Sequence, residues 1–179
     1  MAQPADWNPT QYERFKDERS RPFFDLLALV ETTSAPRVVD LGCGTGELTR
    51  EMHRRLAAAE TLGVDSSPAM IEKTSAFAGD GLRFARADIA DLKDAAGFDV
   101  VFSNAALQWL YDHERLFARV ASLVRPAGQL AVQMPANHDH PSHVVAAEVA
   151  RRPEFRDALG GHERRSPVLA PEEIGRAHV

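Results

Sequence analysis

Short apolar runs rich in β-branched residues alternate with longer stretches of helical spacing from Arg37 onward. The runs Arg37–Leu41, Thr61–Asp65, Leu82–Ala85, Phe98–Phe102 and Gln129–Gln133 predict five strands, while 47–58, 68–77 and 113–124 predict helices; Leu116, Val120, Leu123 and Val124 fall on one helical face. Strand, helix, strand in this order requires crossover connections. It therefore predicts an α/β fold with a doubly wound, mainly parallel sheet covered on both faces. Ser67-Pro68 reads as a helix cap followed by proline at the first helical position, and Asn8-Pro9 repeats the arrangement. Arg125-Pro126-Ala127-Gly128 ends a helix and turns the chain into the next strand. Residues 1–34 precede the first strand and predict two short helices, the second opening near Pro22 and carrying Phe23, Leu26, Leu27 and Val30. A helix near Val144 to Arg151 follows the last strand.

With 179 residues the chain is sized for one domain, and 44% hydrophobic and 26% charged residues fit a globular protein. The formal net charge of −5 lacks the basic excess that phosphate backbones or anionic membranes demand, so neither nucleic acid nor membrane is an expected partner. No run approaches the length of a spanning helix and no basic-then-apolar leader opens the chain, which predicts a cytoplasmic protein, and a monomer is expected. Cys43, the single cysteine, supports neither an internal disulfide nor a thiolate zinc cluster. The run His138-Asp139-His140-Pro141-Ser142-His143 reads as a polar loop and no metal is expected.

Asp40-Leu41-Gly42-Cys43-Gly44-Thr45-Gly46 closes the first strand and opens a helix, where glycines admit a sharp turn and close ligand approach and free N–H groups favour a negative group. Asp65 ends the second strand roughly twenty residues later, the place where a carboxylate accepts from both ribose hydroxyls in a doubly wound sheet. Asp88, in Ala87-Asp88-Ile89, follows the third strand and is placed to accept from an adenine amino group. Each aspartate alone also reads as a helix cap or loop acid; together they fall at the carboxyl ends of neighbouring strands. A dinucleotide fingerprint wants glycine where this chain has Glu47, whose charge would meet phosphate with repulsion. A phosphate-free cofactor with an amino-acid end fits better: Asp40 helps position an ammonium and the loop amides meet a carboxylate. S-adenosylmethionine has both groups.

The motifs Val-Val-Asp-Leu-Gly-Cys-Gly-Thr-Gly, Gly-Val-Asp-Ser-Ser-Pro-Ala-Met-Ile, Ala-Asp-Ile and Phe-Asp-Val-Val-Phe-Ser-Asn-Ala-Ala-Leu-Gln-Trp, over 37–134, resemble the class I S-adenosylmethionine-dependent methyltransferases. The resemblance implies a Rossmann-like sheet and a cofactor site made by Asp40, Gly42, Gly44, Gly46, Asp65, Ser66, Asp88, Ile89 and Asn104, the last beside the methionine part. Asp6-Trp7-Asn8-Pro9, Tyr12, Phe15, Glu18 to Pro22 and Ala131 to Asn137 are similar to the trans-aconitate 2-methyltransferase branch, which implies esterification of a carboxylate of a small polycarboxylate. Such an acceptor is ionised at neutral pH, so no catalytic acid or base is expected. Arg19 and Arg21 are candidates for binding the acceptor carboxylates, with Tyr12 touching cofactor or acceptor; an ordinary charged helix face is the alternative for both arginines. Trp109 reads equally as a core residue, and Cys43 as a small buried one.

These expectations divide the chain into an N-terminal helical lid (1–34), a cofactor-binding core (35–137), the start of an acceptor-side region (138–173) and a non-native tail (174–179). The family's sheet carries two further strands after the fifth, and nothing after Gln133 reads as a strand, so a longer natural protein is expected. The last six residues can be encoded by ATC GGA AGA GCA CAC GTC, which reads as sequencing-adapter sequence. Other readings are another small-molecule or carrier-bound carboxyl methyltransferase, an inactive cofactor-binding fragment, and a nicotinamide-dependent oxidoreductase, the last opposed by Glu47.

Overall fold

The computed structural model describes residues 16–31, 34–137, 139–161 and 168–176. Helix α1 (Lys16–Leu27) leads into β1 (Arg37–Leu41), α2 (Glu47–Arg55), β2 (Glu60–Asp65), α3 (Pro68–Thr74), β3 (Leu82–Arg86) and β4 (Phe98–Asn104). A 3₁₀ turn (Leu107–Trp109), α4 (His113–Ala121), β5 (Val124–Gln133), α5 (Pro141–Ala150), α6 (Pro153–Ala158) and α7 (Pro171–Arg176) follow. The five strands form one sheet in the order β3-β2-β1-β4-β5, and every pairing is parallel. The expected fold class is thus the observed one. Because the chain winds outward from β1 to β3 and then returns to β4 on the other side, the crevice between β1 and β4 is the switch point where such sheets take ligands. Among the described residues no strand follows β5, and none of the helices is long and apolar enough to cross a membrane.

Two cores sandwich the sheet. Val38 and Val39 are adjacent and fully buried because a strand sends successive side chains to opposite faces. Val39, Leu41, Val64 and Val101 pack with Leu107, Leu116, Phe117 and Val120 beneath α4. Val38, Val100 and Phe102 pack with Met52 of α2 and with Phe23 and Leu27 of α1. On fully burying each such side chain the fold gains about 1.5 to 3 kcal/mol.

Several boundaries differ from the sequence reading. Helix α1 does not open at Pro22 but contains it. An interior proline forfeits a backbone hydrogen bond and crowds the preceding turn, and here burial of Phe23 and Leu27 immediately after it offsets that cost. Helices α2, α3 and α4 stop at Arg55, Thr74 and Ala121, short of the expected 58, 77 and 124. Ala57 at φ 45° ends the first of these. Val124 belongs instead to β5, paired with Phe98, so Arg125 to Gly128 forms an irregularity inside the strand rather than a turn before it. Ser67 caps α3 as expected, accepting from Met70 N at 3.4 Å. The Asn8-Pro9 helix, His138, Arg164, Arg165 and 177–179 lie outside the described residues.

Candidate functional site

The carboxyl ends of β3, β2, β1 and β4 bring together the glycine loop, Asp65, Ser66, Asp88, Ile89 and Asn104. Gly42, Gly44 and Gly46 all have positive φ (84°, 56° and 81°), the left-handed region that glycine enters freely. Their surroundings separate their tasks. A Cβ on Gly42 would lie 2.2 Å from Ala106 Cβ, so this glycine lets the β4–α4 connection close against the loop. A Cβ on Gly46 would lie 2.8 Å from the Phe84 ring, and one on Gly63 would lie 2.6 Å from it. Phe84 therefore fills the space beneath the loop. A Cβ on Gly44 would meet nothing within 4 Å, which leaves an open cradle above the loop.

The loop amides are arranged differently from the expectation that they face a ligand carboxylate. Gly42 N and Cys43 N both donate to Val64 O, at 2.8 and 2.9 Å, and Gly46 N donates to Cys43 O. Gly44 N donates to Asp65 Oδ2 at 3.0 Å, and Ser67 N donates to Asp65 Oδ1 at 2.9 Å. Asp65 is thus half-buried and fixed by two backbone donors, with further lone pairs on both oxygens for a diol. Asp88 is exposed and accepts from Ala90 N at 2.9 Å through Oδ1, which caps the turn after β3 and leaves Oδ2 open; Ile89 beside it is buried. Ser66 is exposed, and its carbonyl accepts from Arg86.

Asp40 lies beneath the loop rather than in the cradle, 3% exposed, with Oδ2 accepting from Thr49 Oγ1 at 2.6 Å. Burial, reinforced by the charge of Asp65 and partly opposed by the Thr49 hydrogen bond, pushes its carboxyl up to about 7. Burial also pushes the Cys43 thiol up, with Asp40 and Asp65 adding to the effect, so Cys43 is a neutral packing residue rather than a nucleophile. Asn104 closes β4 opposite the loop, and its Oδ1 is buried without a hydrogen-bond partner. Sequence reasoning missed Thr49, Gly63 and Phe84, whose roles depend on contacts across elements.

Of the expected acceptor residues, Tyr12 lies outside the described residues and Arg19 is described only in its backbone. Arg21 is an exposed residue of α1, 3.8 Å from Asp25. Trp109 is 58% exposed rather than a core residue, because the 3₁₀ turn buries Leu107 in its place. A separate concavity of about 430 Å³, lined by Arg50, His53, Phe77 and Asp80 among others, opens beside the amino ends of β2 and β3, away from this constellation.

Residues 38–128 match the family model described as a methyltransferase domain. The chain is 50% identical over 171 residues to trans-aconitate 2-methyltransferase of Deinococcus radiodurans, covering 92% of this chain and 65% of that protein. It is 46% identical over 170 residues to trans-aconitate 2-methyltransferase of Escherichia coli O157:H7, covering 95% and 66%. The chain therefore spans about 65% of the length of the curated relatives it matches. Among solved structures, an S-adenosylmethionine-dependent methyltransferase from Mesorhizobium loti superposes with a TM-score of 0.57 at 32% identity, covering 65% of this chain and 53% of that one.

Proposed function

This chain belongs to the methyltransferase domain family, and from that premise we propose that it binds S-adenosylmethionine and directs methyl transfer to a carboxylate oxygen of a small polycarboxylate, trans-aconitate, giving a methyl ester. The observation that carries the reading is the 50% identity to a trans-aconitate 2-methyltransferase over 92% of the chain, set beside the open cradle at Gly44 and the unpartnered Asn104 Oδ1. Those two features fit the group: the cradle admits a flat nucleoside against bare backbone, and the amide oxygen suits an ammonium donor.

When bound, S-adenosylmethionine supplies an electrophilic methyl group on a sulfonium sulfur. Asp65, already oriented by Gly44 N and Ser67 N, accepts from the ribose hydroxyls. Asp88 Oδ2 accepts from the adenine amino group while buried Ile89 supports the ring, and Ser66 lines the same edge. Gly42 and Gly46 hold the loop's shape, and Asp40, hydrogen-bonded to Thr49, supports the loop from below. The acceptor carboxylate, with an ordinary pKa near 4, needs no base. What the chain supplies is alignment and exclusion of water. Residues 35–137 form the cofactor-binding core, 1–34 the lid that carries Arg19, Arg21 and Tyr12, and 138–173 the acceptor side.

The test is transfer of labelled methyl from S-adenosylmethionine over a panel of di- and tricarboxylates, with alkaline release of methanol as the signature of an ester. Base-labile methylation of trans-aconitate above the other acids is expected. Transfer to a different acceptor would overturn the substrate assignment. Calorimetric binding of S-adenosylmethionine without any transfer would make the chain a cofactor-binding fragment, and binding of NAD instead would overturn the reading altogether.

A further inference from the structure

At the end of the sheet opposite the glycine loop, two cations share a concavity without an anion. The hollow, of about 510 Å³, is lined by Leu92, Lys93 and Ala95 of the segment before β4 and by Arg119, Ser122 and Leu123 at the end of α4. It opens at the amino ends of β4 and β5, whereas the glycine loop, Asp65 and Asp88 stand at the carboxyl ends of their strands. Arg119 is half-buried, and its Nε is enclosed without a hydrogen-bond partner. Among the described residues neither Arg119 nor Lys93 has an ion pair. A charged donor that has given up water without gaining an acceptor is uncommon, and it marks a place where an acceptor is wanted.

The acids of this region are committed elsewhere. Asp94, which also lines the hollow, accepts from Arg37 Nη1 at 3.1 Å and from Ala96 N at 2.9 Å through Oδ1, and from Arg37 Nη2 at 2.8 Å through Oδ2. Asp99 accepts from Arg37 N at 2.7 Å and pairs with Arg125 at 3.0 Å. The same network fixes the walls. Arg37 donates to Gly97 O as well, which pins the segment before β4. On the other side Ser122 Oγ donates to Arg119 O at 2.6 Å, and Phe98 N donates to Leu123 O at 2.8 Å, which ties the end of α4 to the start of β4. Leu123 is buried in the core and Leu92 packs against it, so the wall between the two cations is apolar and held in place.

The lining narrows the chemistry of an occupant. The chain carries a net charge of −5, so an anion is drawn here by the local pair of cations rather than by the molecule as a whole. A guanidinium meets a carboxylate through two parallel hydrogen bonds, and an ammonium serves a second acidic group as a point charge. Leu92, Ala95 and Leu123 offer apolar surface to a short hydrocarbon between the two groups, which inorganic phosphate does not have. We propose that this concavity binds a small aliphatic dicarboxylate, one carboxylate on the Arg119 guanidinium and the other on the Lys93 ammonium. The site is separate from the methyl-transfer chemistry, and the proposal does not depend on the S-adenosylmethionine reading.

The experiment is a titration of the ¹⁵N-labelled full chain at constant ionic strength with three probes: glutarate, its neutral diamide glutaramide, and inorganic phosphate. The readout is the arginine Nε–H resonance of Arg119, identified by its absence from Arg119→Met. Glutarate is expected to shift this resonance saturably, glutaramide to leave it in place, and phosphate to bind at least about fivefold more weakly for want of apolar contact. Lys93→Met, at an exposed position, is expected to weaken glutarate about fivefold, as loss of one exposed charge partner does. No saturable shift with glutarate, an equal shift with glutaramide, or an unchanged affinity in Lys93→Met overturns the proposal. Phosphate that binds as tightly as glutarate overturns the dicarboxylate assignment. If Arg119→Met fails to show a cooperative melt, Arg119→Lys, which keeps the charge and lacks the Nε–H, identifies the resonance in its place.

Discussion

Asp40 shows how one buried side chain couples the site to stability. Its carboxyl is enclosed, faces the charge of Asp65, and has one hydroxyl donor, Thr49. Burial outweighs that donor and raises its folded pKa from 3.8 to about 7. The sign of the linkage follows. Below pH 4 both folded and unfolded chains hold the proton, and no penalty arises. Between pH 4 and 7 the unfolded chain releases it while the folded chain retains it, so stability falls as pH rises, and above pH 7 the loss is complete. Three pKa units correspond to about 4 kcal/mol as an order of magnitude. Asp40→Asn keeps an oxygen for Thr49 and has no proton to lose, so it is expected to gain on the wild type between pH 5 and pH 8. Urea unfolding at the two pH values measures this, and a constant difference between the proteins would return Asp40 to ordinary acidity.

At the scale of elements, the glycine loop and the β4–α4 connection act as a matched pair, and substitution at two glycines should separate fold from binding. Gly42→Ala places a methyl 2.2 Å from Ala106 Cβ at a left-handed φ, which should cost about 2 to 4 kcal/mol of stability through overpacking and strain. Gly44→Val meets no protein atom within 4 Å, so only strain of about 1 to 2 kcal/mol is expected in the fold, while S-adenosylmethionine binding is lost because the side chain occupies the cradle. Urea unfolding and calorimetry on both variants check the contrast; equal destabilisation, or normal binding by Gly44→Val, contradicts it. Sequence alone made the loop and the strands legible, because continuous β-branched apolar runs and glycine punctuation are local signals. It did not separate the work of Gly42 from that of Gly44, since the difference lies in Ala106, more than sixty residues away. Nor did it find Thr49 or Phe84, which act across elements. Pro22 was misleading for the opposite reason: a strong local signal was overruled by the tertiary burial of Phe23 and Leu27.

For the whole molecule, the direction of α1 decides how the amino-terminal segment can serve the site. Gln129, level with Val100 in the sheet, brackets the backbone of Glu31: its Oε1 accepts from Glu31 N at 2.9 Å and its Nε2 donates to Glu31 O. Phe23 packs on Phe102 with ring centroids 4.8 Å apart, and Phe102 pairs in register with Asp40. The chain therefore climbs from Glu31, level with Val100 in the amino half of β4, back through Phe23 toward the carboxyl ends of the strands, and residue 19 lies one helical turn beyond Phe23 in that direction. Arg21 instead has a side chain 84% exposed, paired with an exposed Asp25. The two arginines should consequently differ. Arg19→Ala is expected to reduce kcat/KM for the acceptor by about 2 to 4 kcal/mol of transition-state stabilisation with cofactor affinity unchanged, as loss of a charged partner in a semi-enclosed site does. Arg21→Ala is expected to cost under about 1 kcal/mol, the value of an exposed pair. Arg19→Lys should restore only part of the loss, because an ammonium cannot reproduce the two parallel bonds of a guanidinium to a carboxylate. Steady-state kinetics with trans-aconitate, alongside calorimetry with S-adenosylhomocysteine, separates the outcomes. A larger effect at Arg21 would reverse the assignment, and equal losses of cofactor and acceptor binding at Arg19 would make α1 a cover for the cofactor rather than a holder of the acceptor.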